Sequence, residues 1–177
     1  MRAEDERDFV DFVGGAARSL RRTAYLLTGD WHRAEDAVQA GLVKLYVAWP
    51  RLARSAATTS YARKAVVSAA IDESRRPWRR ETFVSAVRDD ASDGRDLPGE
   101  VDDRLLVIAA LAELPARQRA TLVLRYYDDL SVDEVADALG CTSGTVKSQT
   151  SRGLDGLRAR LLAAGISEPL TIGKDAG

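Results

Sequence analysis

The stretch from Ser131 to Gly153, SVDEVADALGCTSGTVKSQTSRG, decides how the chain is read. It opens with Ser131 and Glu134 at the S-x-x-E spacing of a capping box, in which each side chain accepts a hydrogen bond from the other residue's backbone N–H. Leu130 and Val135 stand on either side as a hydrophobic staple. The helix so started carries Val135, Ala136 and Leu139 on one face and stops at Gly140, the residue type best suited to a left-handed helix end. Thr142 then caps a second helix whose inward ladder is Val146, Leu154, Leu157 and Leu161, with Thr150 and Gly153 on the same side. A short helix, a glycine turn and a second amphipathic helix together make the helix-turn-helix pattern.

With that ladder turned inward, the first half of the second helix presents Thr145, Ser148, Gln149 and Arg152 outward, with Lys147 at the flank. Ser151 and Arg158 complete the candidate set. Arginine pairs bidentately with guanine and glutamine with adenine, while lysine and serine suit phosphate oxygens. From Ser143 to Ala163 the cations Lys147, Arg152, Arg158 and Arg160 stand against a single acid, Asp155. A solvated helix face can carry similar residues; the agreement of cap, turn, inward ladder and outward chemistry favours contact with DNA. Cys141 reads as a small turn or core residue.

Working outward, the first third of the chain is helical throughout. Phe9, Val10, Val13, Ala16, Ala17, Leu20, Ala24 and Leu27 recur every three or four residues as far as Thr28-Gly29. Asp30 caps the next helix, in which Ala34, Val38, Leu42, Leu45 and Trp49 form a four-residue ladder; Glu35, Asp36 and Gln39 share another face, and Pro50 ends it. RLARSAATT, Arg51 to Thr59, reads as a loop. Ser60 caps a third helix with Tyr61, Ala65, Val66, Ala69 and Ile71 inward and a break near Pro77. Between Thr82 and Asp103 apolar periodicity disappears into Asp, Ser, Gly and Pro, the composition of a linker. Helical pattern returns with Leu105, Ile108 and Ala112. It resumes at Pro115 with Leu122, Val123, Tyr126 and Tyr127. No strand pattern is seen, so the fold class is all-α.

The 177 residues carry 26 basic and 27 acidic side chains, a net charge of −1 that hides a strong asymmetry. Residues 1–80 hold 15 basic and 10 acidic groups, residues 81–103 hold 2 and 8, and residues 104–177 hold 9 and 9. A basic block followed by an acidic connector points to two folded parts with an electrostatically distinct segment between them. One cysteine and one histidine, His32, exclude an internal disulfide and a Cys/His zinc site. No apolar run is long enough to cross a bilayer and no secretory leader is visible, so a cytoplasmic location without membrane insertion is expected. Enzyme chemistry finds no support: there is no Walker A, no H-E-x-x-H and no nucleophile with a histidine placed to activate it. No cofactor is expected.

Taken together, GDWHRAEDAVQAGLVKLYVAW, YARKAVVSAAIDESRRPWRRE and LAELPARQRATLVLRYYDDLSVDEVADALGCTSGTVKS resemble the extracytoplasmic-function sigma factors. These are the minimal two-domain class of the bacterial sigma-70 family, and the likeness is strongest to the SigE-family subgroup of actinobacteria. It runs from about Phe9 to Leu162. The resemblance implies two small helical domains joined by a flexible acidic linker: region 2 at residues 1–81, the linker at 82–103, region 4 with its helix-turn-helix at 104–163, and a flexible tail at 164–177. It implies an RNA polymerase subunit that directs promoter-specific initiation, the linker threading the polymerase cleft.

On that resemblance, Glu35, Asp36 and Gln39 dock on the clamp helices of the largest polymerase subunit, and the flap of the second-largest is a further contact. Arg63, Lys64, Ser68, Arg75, Arg76, Arg79 and Arg80 serve the minus-10 element, where strand melting and base capture require cations and polar contacts. Trp78 is a candidate for stacking on a base or for capping the domain core, and Arg125 for a phosphate or a buried ion pair. Thr145, Lys147, Ser148, Gln149, Ser151, Arg152 and Arg158 serve the minus-35 element. Promoter DNA and an anti-sigma factor are the other partners implied, and the free protein is expected to be a monomer. Two positions depart from the family pattern: Ser68 stands where asparagine is common, and Gln149 where arginine is common. The competing expectation is a dimeric helix-turn-helix regulator that binds an operator, its N-terminal helices sensing or dimerising.

Overall fold

The computed structural model describes residues 3–53, 55–74 and 101–166. Helix α1 spans Ala3–Thr28, α2 Trp31–Leu52 and α3 Ala57–Ser74. After the undescribed stretch come α4, Val101–Ala112, and α5, Ala116–Leu122, which runs into a π-helical turn over Val123–Tyr127. Helices α6, Val132–Leu139, and α7, Ser143–Ala163, complete the chain. No strand occurs among the described residues.

The first three helices form one packed group. Asp30 caps α2 as its spacing predicts, the carboxylate accepting from the Arg33 amide at 2.8 Å. The buried centre is made by Leu20, Ala24, Leu27, Ala34, Leu45, Trp49, Ala62, Val66 and Ala70. Phe9 meets the Trp49 ring edge-on at 5.1 Å, which ties the start of α1 to the end of α2. Gly41 lets α2 and α3 approach: a Cβ there would lie 2.9 Å from the Val66 backbone nitrogen, closer than real contacts allow.

Three local expectations give way. Pro50 does not end α2, which continues to Leu52. A proline near a C-terminus forfeits only one hydrogen bond, and Ala53 N–H still closes the helix on Trp49 O at 2.7 Å. The third helix starts at Ala57 rather than after a cap at Ser60. Ser55 Oγ accepts from the Ala57 amide at 3.1 Å, whereas Ser60 already lies in the first turn and donates back to Ala57 O. The inward face of α3 is also wider than its ladder suggests. Thr58, Ala62, Val67 and Ala70 are buried with Ala65, Val66 and Ile71, while Tyr61 and Ala69 are only half-buried.

In the second group Pro115 sits at the cap position of α5, one residue before the first helical turn. The backbone of α4 is helical from Val101, three residues inside the stretch read as linker. After Leu122 the segment Val123–Tyr127 continues α5 not as α-helix but as the π-helical turn, Asp128 N–H bonding Val123 O at 3.1 Å. Its core contains Ile108, Leu111, Leu114, Leu122, Leu124, Val135, Val146 and Leu157.

The two groups lie against one another. Helix α3 packs on α5 and α6, and α1 contacts α4 and the π-helical turn. Arg119, only 5% exposed, crosses this junction: Nη1 donates to Leu27 O at 2.6 Å, and Nη2 to Ala112 O and Leu114 O at 3.0 and 3.1 Å. Buried guanidinium groups are costly unless hydrogen-bonded, and these carbonyls supply that compensation.

Candidate nucleic-acid interface

The helix-turn-helix is assembled by its own local chemistry. Ser131 N–H donates to Glu134 Oε2 at 2.8 Å and Glu134 N–H to Ser131 Oγ at 3.2 Å, closing the capping box. The bond from the Ser131 backbone N–H, with a lesser contribution from the Ser131 side chain, favours the ionised carboxylate and holds the Glu134 carboxyl below its ordinary range. Leu130 and Val135 are both buried. Gly140 takes φ +61°, the left-handed conformation that a side chain would resist. Thr142 Oγ1 then accepts from the Thr145 amide at 3.2 Å to begin α7.

Helix α7 turns Val146, Gly153, Leu157 and Leu161 into the core, with Leu154 and Thr150 half-buried beside them. Lys147, Ser148, Ser151, Arg152 and Arg158 are exposed on the other side. Thr145 and Gln149 are half-buried. Thr145 Oγ1 shares a 2.9 Å hydrogen bond with Thr142 Oγ1, so this hydroxyl belongs to the cap. Ser148 Oγ donates to Thr145 O at 3.0 Å, and Arg158 lies 3.6 Å from Asp155 in an exposed ion pair of small energetic weight.

The other cationic face lies on α3 and is arranged differently. Arg63 is half-buried, its Nε 3.7 Å from Asp128 Oδ2, and the exposed Lys64 Nζ lies 3.5 Å from Asp137 Oδ1 on α6. Ser68 is exposed on the rim of a cleft of about 170 Å³, lined from the other group by Arg117, Leu139 and Gly140. Arg75, Arg76, Trp78, Arg79 and Arg80 lie outside the described residues. Arg125 is half-buried, and its Nη1 donates to Leu130 O at 2.7 Å, bracing the turn before α6.

On α2, Glu35, Asp36 and Gln39 are all exposed. Glu35 pairs with Arg21 at 2.8 Å, and Arg21 also covers the Trp31 ring, which stacks on Tyr25. Along the same outer side the sequence reading missed an apolar continuation. Val43 is 64% and Val47 73% exposed, at helical spacing from Gln39. The signal was present as two valines outside the four-residue ladder. Among the described residues no cluster of His, Cys, Asp and Glu could hold a metal ion, and no helix is long and apolar enough to cross a membrane.

The model for sigma-70 region 2 matches residues 13–80, and that for sigma-70 region 4 matches residues 104–155. RNA polymerase sigma-E factor of Streptomyces avermitilis is 31% identical over 87% of this chain and 85% of its own length. The extracytoplasmic-function sigma factor SigL of Mycobacterium tuberculosis is 35% identical over 85% of this chain and 87% of its own length. The chain belongs to the extracytoplasmic-function class of the sigma-70 family. The fold agrees with that of the sigma factor RpoE, solved with the anti-sigma factor NepR from Bartonella quintana: the TM-score is 0.65 at 24% identity, covering 88% of this chain and 98% of that one. The chain is thus an RNA polymerase sigma factor, and promoter-specific initiation is its function. A dimeric operator-binding regulator is not favoured, because that reading leaves the region 2 match without a purpose.

Proposed function

We propose that this sigma factor grips promoters at two points and polymerase at a third, each through a distinct helical face. The outer side of α2, with Glu35, Asp36 and Gln39 extended by Val43 and Val47, docks on the clamp helices of the largest polymerase subunit. The α7 face reads the minus-35 element as duplex, Arg152 and Gln149 toward base edges and Lys147, Ser148, Ser151 and Arg158 toward phosphates. Helix α3 contributes Arg63, Lys64 and Ser68 to minus-10 opening, and Arg75, Arg76, Arg79 and Arg80 continue that set. Residues 1–81 and 104–163 act as the two promoter-binding domains, with 82–103 as the connector and 164–177 as a tail. The flap of the second-largest subunit contacts the second domain. The protein works in the cytoplasm as a non-enzymatic subunit, monomeric before it meets polymerase. An anti-sigma factor is a further partner; the solved relative bound to NepR supports that reading.

The observation that carries this proposal is the α7 face: exposed Lys147, Ser148 and Arg152 stand on a helix whose opposite side is anchored by the fully buried Val146. With a net charge of −1, the protein alone should hold DNA weakly, and polymerase supplies affinity by presenting both domains in register. Core binding of the Asp36→Ala/Gln39→Ala variant tests the docking face. Weaker retention by core polymerase with unchanged helicity is expected; unchanged retention would remove α2 from the interface.

A further inference from the structure

The acidic docking patch of α2 begins beside a side-chain stack that the proposed function does not use. Arg21 and Tyr25 share one face of α1, and Trp31 and Glu35 share one face of α2, each pair at i,i+4 spacing. The two faces meet. The Tyr25 and Trp31 rings stack with centroids 4.0 Å apart and planes 10° from parallel. The Arg21 guanidinium carbon lies over the Trp31 ring, 4.8 Å from its centre, and Arg21 Nη2 reaches Glu35 Oε1 at 2.8 Å. Tyr25 is buried in the core of the first helical group, so the stack has a fixed base. The Trp31 indole nitrogen is buried with no hydrogen-bond partner among the described residues, which leaves ring contacts to hold its orientation.

An exposed ion pair between two loose side chains contributes little, because both must be ordered to form it. Here the planar guanidinium already rests on an aromatic face, and planarity lets it serve ring and carboxylate together. The Glu35 side chain remains 47% exposed, and a carboxylate bonded at one oxygen keeps acceptor capacity at the other. From Trp31 the same spacing runs on through Glu35 and Gln39 to Val43 and Val47, all four of them exposed. The stack therefore stands at the head of the docking stripe.

We infer that Arg21, held on the Trp31–Tyr25 stack, is a positioning residue for polymerase docking: it orders the Glu35 carboxylate so that its second oxygen meets a cationic group of the partner. The inference rests on the docking role proposed above for Glu35, Asp36 and Gln39. Arg21 acts through Glu35 and needs no polymerase contact of its own. The gain comes from ordering a flexible side chain before binding instead of during it.

A double-mutant cycle on the full-length protein, with affinity for core polymerase read by titration, tests this role. Arg21→Ala and Glu35→Ala are each expected to weaken core binding about three- to tenfold. The combined Arg21→Ala/Glu35→Ala variant should bind no more weakly than Glu35→Ala alone. Arg21→Gln, which keeps most of the stem against the indole, should repeat the pattern, with helicity and thermal midpoint near wild-type values. A merely structural arginine, or one that touches polymerase directly, would lower affinity just as much in the Glu35→Ala background. That additive result, or full core affinity of Arg21→Ala or of Glu35→Ala, overturns the positioning role. Full affinity of Asp36→Ala/Gln39→Ala overturns the docking face itself, so the two failures are distinguishable.

Discussion

Helices α3 and α7 both carry cations suited to nucleic acid, yet their surroundings differ. On α7 the chemistry projects from a helix whose start, turn and register are fixed by residues within the same short stretch. On α3 it lies at a junction where Thr23, Asp128 and Asp137, from distant parts of the chain, decide what the cations meet. A face set by local capping is legible from sequence and stays presented. One set by tertiary packing depends on residues distant in the sequence.

Substitutions at the junction break this contrast most strongly. Arg119→Ala leaves the carbonyls of Leu27, Ala112 and Leu114 without their buried donor, and a loss of about 2–4 kcal/mol in chemical unfolding is expected. A loss below about 0.5 kcal/mol would show that the junction contributes little. Gly41→Ala forces a Cβ against the Val66 backbone, and overpacking of this kind costs about 1–3 kcal/mol, read as a lower thermal midpoint. If that variant were as stable as wild type, α2 and α3 would not be packed as closely as described.

On the other side of the contrast, Arg152→Ala should leave stability nearly unchanged while weakening promoter binding by holoenzyme. A base contact predicts about 1–3 kcal/mol of lost discrimination at one minus-35 position; an equal loss across all sequences would make Arg152 a phosphate contact instead. Ser131→Ala removes one half of the capping box and should lower stability by about 1 kcal/mol, measured by urea unfolding. The smallest effect is that of pH at Glu134. Because its folded-state carboxyl lies below the ordinary range, its contribution is present above the unfolded pKa and is lost as pH falls through the lowered folded value. The stability difference between wild type and Glu134→Ala should therefore shrink on acidification; a difference that grew would contradict the ionised capping box.

The same division explains what the sequence made legible. Asp30, Ser131, Gly140 and Thr142 act through hydrogen bonds or backbone angles within a few residues, and each stands where the spacing places it. Pro50 misled because its effect depends on how many helical turns follow. Ser60 misled because Ser55 offered a competing hydrogen bond earlier in the chain. The π-helical turn and the buried role of Arg119 depend on packing that no local pattern encodes. For the candidate sites, the α7 face and the acidic α2 patch could be read directly from helical spacing. The partners of Arg63 and Lys64 lie 65 and 73 residues further along the chain, beyond the reach of periodicity.

Promoter-directed initiation by this protein is tested most directly by run-off transcription from genomic promoters by core polymerase with and without the full-length protein. Discrete promoter-dependent transcripts are expected only when the protein is added, and are expected to disappear when Lys147 and Arg152 are both replaced by alanine. No added transcript from any template, or full transcription by the double variant, would contradict it.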